Sequence, residues 1–196
     1  MKMLLMSVMA LVAFCASGQP MRKGDLMFHF PARDNSITEV SPARIDHVAI
    51  YLGGDSVLEA VPDKGVTVTK MGQLLKREDG CYYYASVKGA DRKQSILNAR
   101  KYIGMPYDSL FLPGNEAVYC SELVQCSYVD RKGTLLFGTV PMSFRNSRGL
   151  IDLFWVEFYS RHGMSVPEGE QGSNPAELSR RSHVGKLRPL KSSTRF

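Results

Sequence analysis

After Gly18 the chain has no uninterrupted apolar run of membrane-spanning length, which excludes a spanning helix from the remainder. It has no Cys-x-x-Cys pair and no two histidines at ligand spacing, so the common zinc frameworks are excluded and no metal or cofactor is expected. Basic residues are nowhere interleaved with aromatics in a foldable stretch, which excludes a nucleic-acid module. Internal repeats are absent. From Leu178 to Phe196 there is no acidic residue, only Arg180, Arg181, Lys186, Arg188, Lys191 and Arg195 among the charged ones. The formal charge of +6 therefore belongs to this tail, and the body between the leader and the tail is close to neutral. A solvated, poorly ordered end is the expectation for residues 178–196.

Residues 1–18 combine a single basic residue (Lys2), an apolar run from Met3 to Phe14, and the small residues Ala16-Ser17-Gly18. That pattern is expected of a secretory signal peptide cut near Gly18, which would send the mature chain to the periplasm or the extracellular space. Lipoprotein processing at Cys15 fits less well, because bulky Phe14 directly precedes it. Residues 19–177 are long enough for one catalytic domain with a sizeable core.

Without Cys15, three cysteines remain, Cys81, Cys120 and Cys126, an odd number for an exported protein, so at least one thiol stays free. Cys120 and Cys126 lie six positions apart on one expected helix, about 240° around its axis, and cannot bridge.

The hydrophobic pattern gives a mixed α+β chain. Gly24–Phe30 reads as the first strand and Ser36–Val40 as a short extended piece. His47–Leu52, apolar on both faces, reads as an inner strand, and Val57–Val61 as its hairpin partner. Further strands are expected at Gly65–Thr69 and Tyr82–Val87, with a short helix over Met71–Lys76. Asp91 caps a helix that runs to about Ile103 and stops at Gly104. Asp152–Ser160 is aromatic-rich and reads as helix, and Pro167–Pro175 as a loop.

The chemistry centres on Val118-Tyr119-Cys120-Ser121-Glu122-Leu123-Val124. Cys120 falls in the first turn of a helix, where unpaired N–H groups and the helix dipole favour the thiolate. A cysteine there is either a nucleophile or a small buried hydrophobe, and the residues upstream decide between the two. His47 can act as base. Glu59, flanked by Val57, Leu58, Ala60 and Val61, demands a partner if it points inward, and His47 is the nearest good one. The pairing depends on register: an odd-numbered Gly53-Gly54-Asp55 loop puts His47 and Glu59 on one face, and a two-residue turn separates them. The odd loop is the expectation. Cys120 as nucleophile, His47 as base and Glu59 as the group that fixes the imidazole form a triad. Tyr51, Tyr107 and Tyr119 are candidate pocket residues, and a side chain near Tyr107 or Tyr119 is a candidate helper for the oxyanion.

His47 in Asp-His-Val-Ala-Ile-Tyr, Glu59 in Val-Leu-Glu-Ala, and Cys120 in Tyr-Cys-Ser-Glu-Leu-Val resemble the permuted papain-like amidases of the YaeF/YiiX type, within the NlpC-like cell-wall peptidase superfamily. The resemblance includes Gly24-Asp25-Leu26-Met27-Phe28, Gly104-Met105-Pro106-Tyr107-Asp108 and the Pro167–Pro175 segment. Papain-like enzymes place cysteine before histidine, and the reversed order here marks the permuted branch. The resemblance implies a circularly permuted papain-like fold, an antiparallel sheet with the nucleophile helix packed on it. It also implies cofactor-free amide cleavage, with a peptide or peptidoglycan fragment as substrate. Acyltransferases of the lecithin:retinol type share the permuted order but carry Asn-Cys-Glu-His, where this chain has Tyr-Cys-Ser-Glu. A non-catalytic peptide- or acyl-binding module is the alternative of a different class.

Overall fold

A six-stranded antiparallel sheet in the order β4-β3-β2-β1-β5-β8 carries the molecule. Its strands are β1 (Leu26–Pro31), β2 (His47–Gly53), β3 (Ser56–Val61), β4 (Gly65–Lys70), β5 (Gly80–Ala85) and β8 (Arg188–Pro189). The helices are α1 (Ser36–Glu39), α2 (Met71–Arg77), α3 (Arg92–Arg100), α4 (Cys120–Ser127), α5 (Leu153–Arg161) and α6 (Pro175–Leu178), and β6 (Val140–Pro141) pairs with β7 (Gln171–Gly172) in a small second sheet. The structure, a computed structural model, describes residues 20–77 and 80–190. The expected signal peptide and the last six residues lie outside them.

Strand alternation explains why β2 is apolar throughout. Phe28, Val48, Ile50, Leu58 and Ala60 enter one core with Leu123 and Val124 of α4. Met27, Ala49 and Val57, one residue out of phase, enter a second cluster with Leu74 of α2. Both faces of the inner strands are thus covered, which a half-solvated sheet would not require.

The β2–β3 hairpin corrects one expectation while keeping its consequence. Tyr51 pairs with Val57 and Gly53 with Ser56, so the turn is the two residues Gly54-Asp55 and Leu52 is an extra residue on β2. This bulge restores the parity that a two-residue turn alone would have broken. Gly53 and Gly54 have φ of 95° and 60°, the left-handed conformation that such a turn needs and that side chains resist. Residues 36–39, expected to be extended, are instead a helical turn with a capping box: the Asn35 side chain accepts from the N–H of Ile37 and Thr38, and the Thr38 hydroxyl accepts from the Asn35 N–H.

The expectation of a disordered tail is also corrected as far as residue 190. Leu178 is 1% exposed and Val184 is buried, and both sit in the main core. Val184 bridges Val87, and Arg188 and Pro189 pair with Tyr84 and Tyr83 to make the edge strand β8. The cause is the apolar spacing Leu178, Val184, Leu187 beneath the charges, which anchors the segment against water's pull on its arginines and lysines. We predict that Leu178→Ala lowers the free energy of unfolding in urea by about 2–5 kcal/mol, the cost of emptying a core leucine site. A change near zero would return the segment to a loose tail.

Candidate active site

Cys120 is the first residue of α4, with Tyr119 as its N-cap, so its backbone N–H is among those that have no carbonyl within the helix. The approach is fixed from outside the helix, since the Val118 N–H donates to Pro106 O and the Asp108 N–H to Val118 O. His47 is the first residue of β2, and these two element starts meet: the imidazole is hydrogen-bonded to the Cys120 side chain and, through Nε2, to Glu59 Oε2 at 2.9 Å. Glu59 is fully buried at 0% exposure, and the histidine supplies the partner that its carboxylate needs there. Burial works against a charge on His47, but the hydrogen bonds and negative charges of Cys120 and Glu59 outweigh it and raise its pKa to about 10. The arrangement therefore favours a protonated His47 at neutral pH.

Cys120 opens into a cleft of about 620 Å³. Tyr107 and Tyr119 line it, as expected. Tyr51 does not. Its hydroxyl donates to Gly54 O at 3.1 Å and its ring packs with the α2 cluster, because its place on β2 turns it toward Val57 and away from the cleft. Tyr119 is occupied as well, its hydroxyl accepting the Ser173 N–H at 2.9 Å. That leaves Tyr107 beside Cys120. Burial first, then the nearby charges of Cys120 and Asp108, raise its pKa well above the usual phenol value, so it keeps its proton and can donate.

Several residues at the site carried no signal in the sequence. Asp46, on the cleft wall, is paired with His29 Nδ1 at 2.7 Å and accepts from Asn35 Nδ2 at 2.6 Å. Burial opposes its charge, yet those bonds and the two neighbouring histidines hold its pKa below the ordinary value. Through Asn35, the cap of α1, this pair fixes the α1 side of the cleft. Opposite it stands an aromatic wall: Phe111 meets Tyr119 at 5.2 Å and Trp155 at 5.7 Å, and Phe144 meets Trp155 at 5.2 Å. Phe111 has φ of 53°, unusual for an aromatic residue, and buried Asp108 holds the loop there by accepting from the N–H groups of Leu110 and Leu112. Trp155 Nε1 donates to Ser36 O at 3.1 Å, tying the wall to α1. Ser173 closes the Cys120 end, with its hydroxyl 3.0 Å from that of Ser121. Pro167–Pro175, a loop by its composition and part of the family resemblance, contributes Ser173, Asn174 and Pro175 to the cleft.

Residues 20–187 match the model of a family described as permuted papain-like amidase enzyme, YaeF/YiiX, C92 family. The chain belongs to this family. The fold is likewise that of the crystal structure of the metalloprotein yiiX from Escherichia coli O157:H7, with a TM-score of 0.69 and 21% identity over 88% of this chain and 97% of that one. No curated protein matches the sequence. The YiiX structure is described as that of a metalloprotein. In this amidase-family chain no three His, Cys, Asp or Glu side chains converge to hold an ion among the described residues, so the residues present do not fit a metal site. Cys81, Cys120 and Cys126 are all free thiols.

The raised pKa of His47 has a definite sign in stability. A folded-state value of about 10 against 6.5 means a contribution fully present below pH 6.5 and lost as the pH rises through about 10. We predict that the His47 ring titrates by NMR with a midpoint near 10, and that Cys120→Ala moves it down. A midpoint near 6.5 in the unmodified protein would show that the imidazolium is not held.

Proposed function

We propose that this protein is an exported cysteine amidase that cleaves an amide bond in cell-wall peptides, with Cys120 as nucleophile, His47 as its acid–base partner and Glu59 as the residue that orients His47. The observation that carries this reading is the half-buried His47 imidazole, hydrogen-bonded to the Cys120 side chain and 2.9 Å from Glu59, beside a cleft that Cys120 lines and that is large enough for a peptide segment. The Cys120 thiolate attacks the carbonyl carbon, and the C=O π electrons move onto oxygen. The Cys120 N–H and the Tyr107 hydroxyl donate to that oxyanion. His47 passes its proton to the departing amine as the C–N bond breaks, leaving a thioester on Cys120. Water, deprotonated by the now neutral His47, attacks the thioester carbonyl, and the C–S bond breaks to release the acid and restore the Cys120 thiolate beside protonated His47. Export rests on the signal-like residues 1–18, and peptidoglycan follows from that location and from the family's amidase character.

The aromatic wall favours a second reading, in which the acyl part of the substrate is a long hydrocarbon chain. Phe111, Phe144, Trp155 and Met142 would shelter such a chain better than a stem peptide rich in charge.

A digest of purified peptidoglycan, run beside a long-chain acyl ester, decides between them when products are identified by mass spectrometry. Stem-peptide fragments that vanish in Cys120→Ala are the expected result. Ester cleavage alone would move the protein to the acyl reading, and undiminished turnover in Cys120→Ala would sink the mechanism. On the substrate that is cut, His47→Ala is predicted to lower kcat by about 10³–10⁴-fold, and Glu59→Gln by less because the amide still orients the ring.

A further inference from the structure

A second concavity, of about 210 Å³, lies away from the cleft at the beginning of β1. It is formed where the chain's first described residues, the end of β5, the start of α3 and the segment leading into β8 come together. Arg22, Lys88, Arg92, Lys186 and Arg188 line it, with Asp25 as its only acidic residue. Asp25 is already committed: one oxygen pairs with Arg92 Nη1 at 2.7 Å and the other accepts the Arg22 N–H at 2.8 Å. The side chains of Arg22, Lys88, Lys186 and Arg188 have no carboxylate within ion-pair distance among the described residues.

Basic side chains scattered on a convex surface would be an ordinary solvated face. Here the backbone brings them together. The Lys88 N–H donates to His183 O at 2.7 Å, the Gly185 N–H donates to Ser86 O at 2.8 Å, and Arg188 pairs with Tyr84 in the edge strand. Holding four uncompensated cations around one small polar hollow costs free energy through mutual repulsion, and a multiply charged anion removes that cost. A single carboxylate would leave most of the charge unanswered. Two guanidinium groups and two ammonium groups match the oxygens and charge of phosphate, and the volume is below that of drug-sized pockets. The hollow is also separate from the chemistry, since Asp25 lies just before β1 and that strand meets His47 only at His29, further along.

We propose that this hollow is a phosphate-binding site that tethers the enzyme to phosphate-bearing material while the cleft works elsewhere. The site does not depend on which bond Cys120 cuts.

The test titrates inorganic pyrophosphate into the purified protein at low salt by calorimetry. In parallel, the protein is sedimented with phosphatidylcholine vesicles, with and without phosphatidylglycerol. Each is repeated with Lys186→Gln/Arg188→Gln and with a charge-matched control, Arg131→Gln/Lys132→Gln, on an exposed turn. Pyrophosphate is expected to bind at one site per chain, more weakly as salt is raised, with affinity lost about tenfold or more in the Lys186/Arg188 variant and kept in the control. Saturable binding only to the phosphatidylglycerol vesicles, with the same dependence on the pair, would assign the phosphate to a lipid headgroup. An absence of saturable binding in both arms, or an equal loss in the control variant, would overturn the proposal. The Cys120 alkylation rate, unchanged in both variants, checks that they are folded.

Discussion

The structure depends on one buried charged contact, His47 held between the Glu59 carboxylate and the Cys120 thiol. A fully buried carboxylate is unfavourable alone, and an imidazolium with low exposure is unfavourable alone, but each removes most of the other's cost. The contact exists only if β2 and β3 are in the right register, and the bulge at Leu52 sets that register. A local irregularity in a hairpin thus decides whether His47 and Glu59 share a face. Truncating His47 would remove the hydrogen bond it makes to the buried Glu59 carboxylate, so the residue bears on the fold as well as on the site.

Around that contact the cleft is assembled from pieces far apart in the chain. Asp46 fixes Asn35 and with it α1, Asp108 fixes Phe111, and Trp155 reaches across to Ser36. Ser173, after β7, holds the Tyr119 hydroxyl and meets Ser121, the residues on either side of Cys120. Gly172 has to be small for this closure, because a Cβ there would fall 2.8 Å from the Tyr119 hydroxyl. The Pro167–Pro175 segment, which the family resemblance includes, is a strap bonded to the start of α4, which gives Cys120 little freedom to leave His47.

What the sequence made legible was local or periodic. Cys120 at a helix start, Asp91 as a cap, the two inner strands and the shared parity of His47 and Glu59 follow from short-range rules, and the structure has each of them. The resemblance supplied the permuted fold. Four-residue α1 was missed because one turn has no periodicity to read, although its Asn35–Thr38 capping box was present. The aromatic wall was missed because Phe111, Phe144 and Trp155 converge from separate loops and a helix. The tail was misjudged because its charge was weighed and its buried Leu178 and Val184 were not. Tyr51 was assigned to the pocket from its strand alone, whereas its neighbours place it on the hairpin.

The most direct test is the order in which the three free thiols react with iodoacetamide at pH 6, followed by peptide mass mapping. Exposure alone favours Cys81, which is exposed, over Cys120, which is 5% exposed. If an imidazolium holds Cys120 as thiolate, Cys120 is alkylated first and loses that advantage in Glu59→Ala. Reaction at Cys81 first, with Cys120 inert, would contradict the ion pair on which the account rests.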